Sequence, residues 1–278
     1  MKLGYNLPTD WSYSIASGAW VGGDAGNPAY LHNRKPAESS YFTWSAGSQT
    51  TSSTVSWTAT RDGEFVPSVG SLLGSSLPEG TKVVLLGKRA IDGDYTYDLG
   101  GNSQSQRLVT MLDGTTGCVW EFAEGLDAIT AYRLVAYNDV NGAASIVAET
   151  QFKHGEIIVC PALKIPTGKS PSERWIMPGQ ELRTLSAQAT KTARSPYREV
   201  TARGVETPDG WSAGGAQAVQ AQLARDPFTL MVVYDSCEDY DRIQKTSVFG
   251  LVSGLGIGAV TYQYQAPDEI KVAEVPAA

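Results

Sequence analysis

The chain has 278 residues, with 22 basic and 29 acidic side chains and a net charge of −7; no Lys/Arg block concentrates positive charge, which disfavours a polyphosphate partner. A hydrophobic fraction of 42% suffices for a buried core and argues against a disordered chain. Residues 1–23 lack the apolar centre of a secretory signal, and no stretch reaches the roughly 18 apolar residues of a membrane-crossing helix.

The charged fraction of 18% lies below the roughly 25% usual for soluble domains. Two readings stay open: a surface largely buried against partners, or the ordinary composition of a β protein. The 29 glycines and 14 prolines are spread along the chain, as many short strands joined by turns require. Cys118, Cys160 and Cys237 are far apart and in no Cys-x-x-Cys pair, which points to buried free thiols and away from a disulfide framework or a zinc site.

In chain order, the alternation of 54–60 predicts a half-buried strand with Val55, Trp57 and Ala59 on one face. Residues 82–89 and 132–137 read as further strands. Residues 145–150 and 156–160 read as a hairpin whose turn is Lys153-His154-Gly155. Pro161, Pro166, Pro171 and Pro178, interleaved with Gly168, Lys169, Ser170 and Ser172, mark a linker or extended arm. Residues 212–225 form the one good helical pattern, with Ala216, Val219 and Leu223 on one stripe, Ser212 as cap and Asp226-Pro227 as stop. A buried strand over 228–234 follows, then strands 247–252 and 259–263 separated by Gly254, Gly256 and Gly258. The end of the chain, 266–278, reads as extended or frayed.

Chemistry-bearing motifs are sparse. His154 is expected as a solvated turn residue, and His32 has no partner motif. Gly168-Lys169-Ser170 lacks the earlier glycine of a phosphate loop. Asp92-Gly93-Asp94 and Glu238-Asp239-Tyr240-Asp241 are the densest acid groups, and both read as turn formers beside strand ends; the first is too short for a calcium loop. No catalytic, cofactor-binding or metal residue is assigned, and no cofactor is expected. Tyr5, Trp11, Tyr13, Trp20, Tyr30, Tyr41, Phe42 and Trp44 crowd the first part. They suit sugar stacking or an interface if exposed, whereas Trp44, Trp57 and Trp120 are expected in a core.

Two stretches carry a resemblance. Residues 27–37 (NPAYLHNRKPA) precede Tyr41-Phe42-Thr43-Trp44, and 69–81 (VGSLLGSSLPEGT) lead into Lys82-Val83-Val84. Together with Asp113-Gly114 and Trp120-Glu121-Phe122, they resemble the discoidin-like, galactose-binding-type β-sandwiches of phage tail-tip and minor tail proteins (distal-tail-like, from long-tailed siphophages). The resemblance implies a mainly β chain: a jelly-roll sandwich followed by a smaller α+β domain with one main helix. The expected layout is an N-terminal extended arm (1–25), the sandwich (26–160), a Pro-rich linker (161–180), the smaller domain (181–265) and a C-terminal tail (266–278). The function it implies is that of a non-enzymatic virion structural protein, made in the bacterial cytoplasm. It would assemble as a symmetric trimer or hexamer and link tail tube, hub and fibres, with no nucleic-acid partner and no membrane insertion. The alternative is a carbohydrate-binding module contacting a host cell-surface glycan.

Overall fold

In the computed structural model, the structure describes residues 1–45, 50–99, 106–164, 172–176, 179–183, 189–193, 197–203, 216–232, 247–256 and 269–275. The strands of the first part are β1 (Lys2–Gly4), β2 (Ser12–Ala16), β3 (Gly18–Trp20), β4 (Ser40–Trp44), β5 (Thr54–Phe65), β6 (Val69–Ser75) and β7 (Thr81–Lys88). After the short β8 (Gln106–Arg107) and β9 (Val109–Thr110) come β10 (Thr116–Glu121), β11 (Ile129–Val140), β12 (Gln151–His154), β13 (Glu156–Cys160) and β14 (Ala162–Lys164). The remainder holds β15 (Ser172–Ile176), β16 (Gly179–Arg183), β17 (Ala189–Ala193), β18 (Tyr197–Arg203), the helix α1 (Ala216–Arg225), β19 (Phe228–Val232), β20 (Val248–Gly256) and β21 (Glu269–Glu274). The chain is mainly β with one α-helix among the described residues, as expected.

A five-stranded sheet, β2-β5-β11-β7-β8, faces a four-stranded sheet, β13-β6-β10-β9, and a three-stranded one, β12-β4-β3. Between them lies the main core. Val55, Trp57 and Ala59 of β5 point into it, as their alternation requires, with Val83, Leu85, Leu134, Phe42, Trp44 and Trp120. The four-stranded sheet is covered on its other face too: Val69, Val119, Ile158 and Cys160 pack against Leu230, Val232 and Phe249 of a seven-stranded sheet, β14-β1-β19-β20-β21-β18-β15. Burial on both faces explains why β13 reads Glu-Ile-Ile-Val-Cys with no alternation, all five residues being buried. The far face of the seven-stranded sheet buries Leu3, Val200, Met231, Ile270 and Val272 beneath Leu223 of α1.

Several expected boundaries are corrected. Residues 1–25, expected as an arm, instead supply β1, β2 and β3, all paired: Leu3 sits between Leu163 and Met231, and Ser12–Ala16 lies beside β5. The 161–180 linker contains β14 and β15, each in a ladder with β1 or β18. The 266–278 tail contains β21, whose Ile270 and Val272 fill the core beside α1. Three- to six-residue strands such as these show too little periodicity to be seen alone, and the ladder that holds them is nonlocal. β20 runs through Gly254 and Gly256 and pairs with β21, so the closing pair is 248–256 with 269–274; residues 259–263 and Ser212 lie outside the described residues. Residues 145–150 form no strand, and the expected hairpin with 156–160 is absent. β12 pairs with β4 in the three-stranded sheet while β13 pairs with β6 in the four-stranded one, so the chain changes sheets at Gly155. A Cβ there would collide with the Pro36 carbonyl oxygen, so only glycine lets the corner close.

Candidate functional site

The residues with chemistry collect at one end of the sandwich, where β7 leaves the five-stranded sheet and β11 enters it. The loop after β7 folds back on an Arg–Asp turn: Arg89 N donates to Asp92 Oδ2 at 3.0 Å, its Nη2 reaches Asp92 Oδ1 at 2.9 Å, and its Nη1 reaches Asp127 Oδ2 at 2.9 Å. The guanidinium lies 4.5 Å above the Tyr97 ring, and the Tyr97 hydroxyl accepts from Asp127 N at 2.8 Å. Beside it, Arg133 of β11 sits 4.3 Å above Tyr95 and bonds Asp94 Oδ1 at 3.3 Å. Lys88 covers the same ring at 5.4 Å. A third copy of the pattern stands at the start of β2 and the end of β5, where Arg61 lies over Trp11 and Phe65 and pairs with Asp10 at 3.3 Å.

The electrostatics follow from these contacts. The Arg89 side chain and backbone hold the Asp92 carboxyl below its ordinary range. Asp92, then Asp127, push the Arg89 guanidinium higher still. Desolvation raises the Tyr95 phenol despite Arg133, so Asp92 stays ionised, Arg89 protonated and Tyr95 neutral at neutral pH. The carboxylates of Asp94 and Asp127 are 67% and 65% exposed and retain lone pairs directed to solvent. Exposed carboxylates, fixed guanidinium donors and tyrosine faces held in one geometry are what hydroxyl-rich ligands require: acceptors and donors for hydroxyls, and an apolar face for C–H groups. Because ion pairs already fix the side chains, a ligand would meet a pre-ordered surface.

The sequence placed Asp92 and Asp94 at strand ends as turn formers, and they are so placed. Arg89, Asp127, Arg133, Tyr95 and Tyr97 went unmarked: Arg89 stands only three residues from Asp92, but the pairs that complete the array, Arg89–Asp127 and Arg133–Asp94, bridge 38 and 39 residues. Glu238–Asp241, Cys237 and Gly168–Ser170 lie outside the described residues. Cys118 and Cys160 are buried free thiols, pushed up by burial. Trp44, Trp57 and Trp120 are buried in the core. His154 corrects the expectation of a solvated turn residue: it is wholly buried, 4.5 Å from Trp57 and 4.8 Å from Phe42 ring to ring. Burial drives its pKa down to about 3, so it is a neutral core side chain. His32 is half-buried and stacks on Tyr13 at 5.5 Å; desolvation lowers its pKa. Among the described residues no group of three His, Cys, Asp or Glu side chains is arranged to hold a metal, and no helix is long and apolar enough to cross a membrane.

No family model matches the chain, and no curated protein matches it. Among solved structures it is similar to CpGH89CBM32-5 from Clostridium perfringens in complex with GalNAc-β-1,3-galactose, at 15% identity and a TM-score of 0.34, covering 54% of this chain and 95% of that one. It is similar to CBM32-1 from a family 31 glycoside hydrolase of Clostridium perfringens, at 9% identity and a TM-score of 0.37, covering 56% and 97%. It is also similar to an f-lectin (fucolectin) from striped bass (Morone saxatilis) serum, at 10% identity and a TM-score of 0.36, covering 98% and 94%. None of these likenesses transfers a residue to this chain.

Proposed function

We propose that this protein is a recognition module that binds a glycan at the β7–β11 end of its sandwich and works without turnover. The observation that carries the reading is the fixed array of Arg89, Asp92, Asp94, Tyr95, Tyr97, Asp127 and Arg133, which presents exposed carboxylates and guanidinium donors on tyrosine faces. Its members are committed to one another in ion pairs, an arrangement for holding a ligand's hydroxyls, with no nucleophile and base set against each other. Glycan-array binding tests it. The native chain is expected to retain a subset of saccharides, and Asp127→Asn together with Tyr95→Ala is expected to abolish retention while the far-ultraviolet circular dichroism stays unchanged. Undiminished retention by that double variant removes the site.

A second reading is a virion structural protein of a phage tail tip that docks on sister copies and on tube, hub and fibre proteins. The low charged fraction of 18% favours it, as does β15 at the margin of the seven-stranded sheet, four of whose five residues are exposed, with Trp175 at 51%. An exposed edge strand carrying an aromatic is a template for strand addition. Light scattering on the purified chain tests this reading: a symmetric oligomer is expected, and a monomer at all concentrations counts against it.

A further inference from the structure

We infer that the saccharide is acidic, bearing uronate or sulfate groups, and that it runs from the β7–β11 end along the outer face of the five-stranded sheet. This rests on the glycan-binding reading and extends the same site. Along β7, Val83 and Leu85 point into the core, so Lys82, Val84, Leu86 and Lys88 point outward. Along β11, Leu134 and Ala136 are in the core and Arg133, Val135, Tyr137 and Asp139 face out beside them. On the far side, β5 and β2 add only hydroxyls and a methyl to the paired part of this face. Thr58 lies opposite both Arg133 and Ser14, Thr60 opposite Ser12, and Ser56 opposite Ala16.

The charges on this face do not balance. Arg107 of β8 takes the Asp139 carboxylate at 3.1 Å, and Arg133 takes Asp94 at 3.3 Å. Lys82 and Lys88 are then left with no carboxylate at ion-pair distance among the described residues. Each rests on a tyrosine instead, Lys82 over Tyr137 at 5.0 Å and Lys88 over Tyr95 at 5.4 Å. A chain with a net charge of −7 thus keeps two ammonium groups outside any ion pair on one face, coupled only at longer range to Asp139 and Asp92. Six residues of strand separate them by about 20 Å, with the half-buried Leu86 and the largely covered Val84 and Val135 between. Two anchored cations at that spacing and a border of Ser and Thr hydroxyls fit an extended polyanion of sugars. A nucleic acid fits worse: each tyrosine on this strip already carries a cation over its ring, Lys82 over Tyr137 and Arg133 with Lys88 over Tyr95, which narrows the surface on which a base could stack.

The intact chain is tested by affinity electrophoresis and calorimetry against polygalacturonate, dextran sulfate, neutral dextran and single-stranded DNA. Binding to polygalacturonate or dextran sulfate is expected, weakening as salt is raised because the contacts are exposed. Lys82→Gln with Lys88→Gln should lower affinity about five- to tenfold, the loss expected for two exposed charge contacts, without moving the melting temperature. Neutral dextran bound as tightly as the acidic polymers, DNA bound as tightly as the acidic polymers, or affinity unchanged in the double variant overturns the acidic ligand while leaving a saccharide site standing. Failure to bind any of these saccharides, and of every sugar on the glycan array, overturns both proposals together.

Discussion

Glu156→Gln should make the protein more stable at pH 8 and hardly alter it at pH 4. Glu156 opens β13, is 3% exposed, and accepts a hydrogen bond from Arg34 N at 3.0 Å. Desolvation dominates its surroundings and, against the Arg34 contribution, pushes its pKa up from 4.5 to about 8. The folded protein therefore holds a proton there that the unfolded chain releases near pH 4.5. Wherever the folded state binds more protons, stability falls as pH rises, so the loss begins near pH 4.5 and is complete above about pH 8. The interval between the two values corresponds to roughly 4–5 kcal/mol, a large part of the total stability of an ordinary domain. Glutamine keeps the acceptor for Arg34 N and cannot ionise, so the variant should lack this slope. Urea unfolding of both proteins at half-unit steps from pH 4 to 9 reads it directly, and taking their difference cancels every other titrating group. A difference that is flat, or that favours the glutamate at pH 8, refutes the assignment of a protonated carboxyl.

Other expectations follow from the same core. His154→Phe replaces a buried imidazole, neither of whose nitrogens has a hydrogen-bond partner, with a ring of similar size. Because the imidazole's folded pKa of about 3 lies below its ordinary 6.5, the native protein loses stability as pH falls through that window, and the phenylalanine variant should not. The gain in unfolding free energy should be about 1–3 kcal/mol at neutral pH and larger at pH 4. Gly155→Ala should cost more than about 3 kcal/mol or prevent folding, since the new methyl meets the Pro36 carbonyl; a small change in melting temperature would show that the corner yields. Cys118 and Cys160, buried and raised in pKa, should react with maleimide only after unfolding, as peptide mapping of the labelled native protein can establish.

How far the sequence could be read depended on whether an element answered to its neighbours in sequence or in space. β5 was visible because one face meets the core and the other meets solvent, so its side chains alternate, whereas β7 was visible by its apolar centre, Val83–Leu86, and β11 by its strand-sized run at 132–137. β13 was visible as an apolar run. The turn at 153–155 misled because its composition suits a hairpin, whereas the paired partners of β12 and β13 are Ser40–Thr43 and Val69–Leu73, both far back in the chain. β1 and β21 were lost for a related reason: Leu3, Ile270 and Val272 become core residues only once the seven-stranded sheet has assembled around them. The site was legible only as its acids. Arg89 meets Asp92 within a three-residue turn just after β7, but Arg133 stands in the middle of β11, and cross-strand geometry brings it to Asp94 and Tyr95.

The middle sheet has a consequence for any attempt to divide the molecule. It serves as a party wall, insulated on one side by the aromatic core and on the other by Leu230, Val232 and Phe249. A fragment ending after β13 would strip that second side and leave Val69, Val119 and Ile158 facing water, while the remaining half would lose β1, the strand that joins β14 to β19 in its own sheet. A cut at the proline-rich stretch therefore yields two adhesive pieces, and grafting the sandwich elsewhere means carrying the back wall along with it.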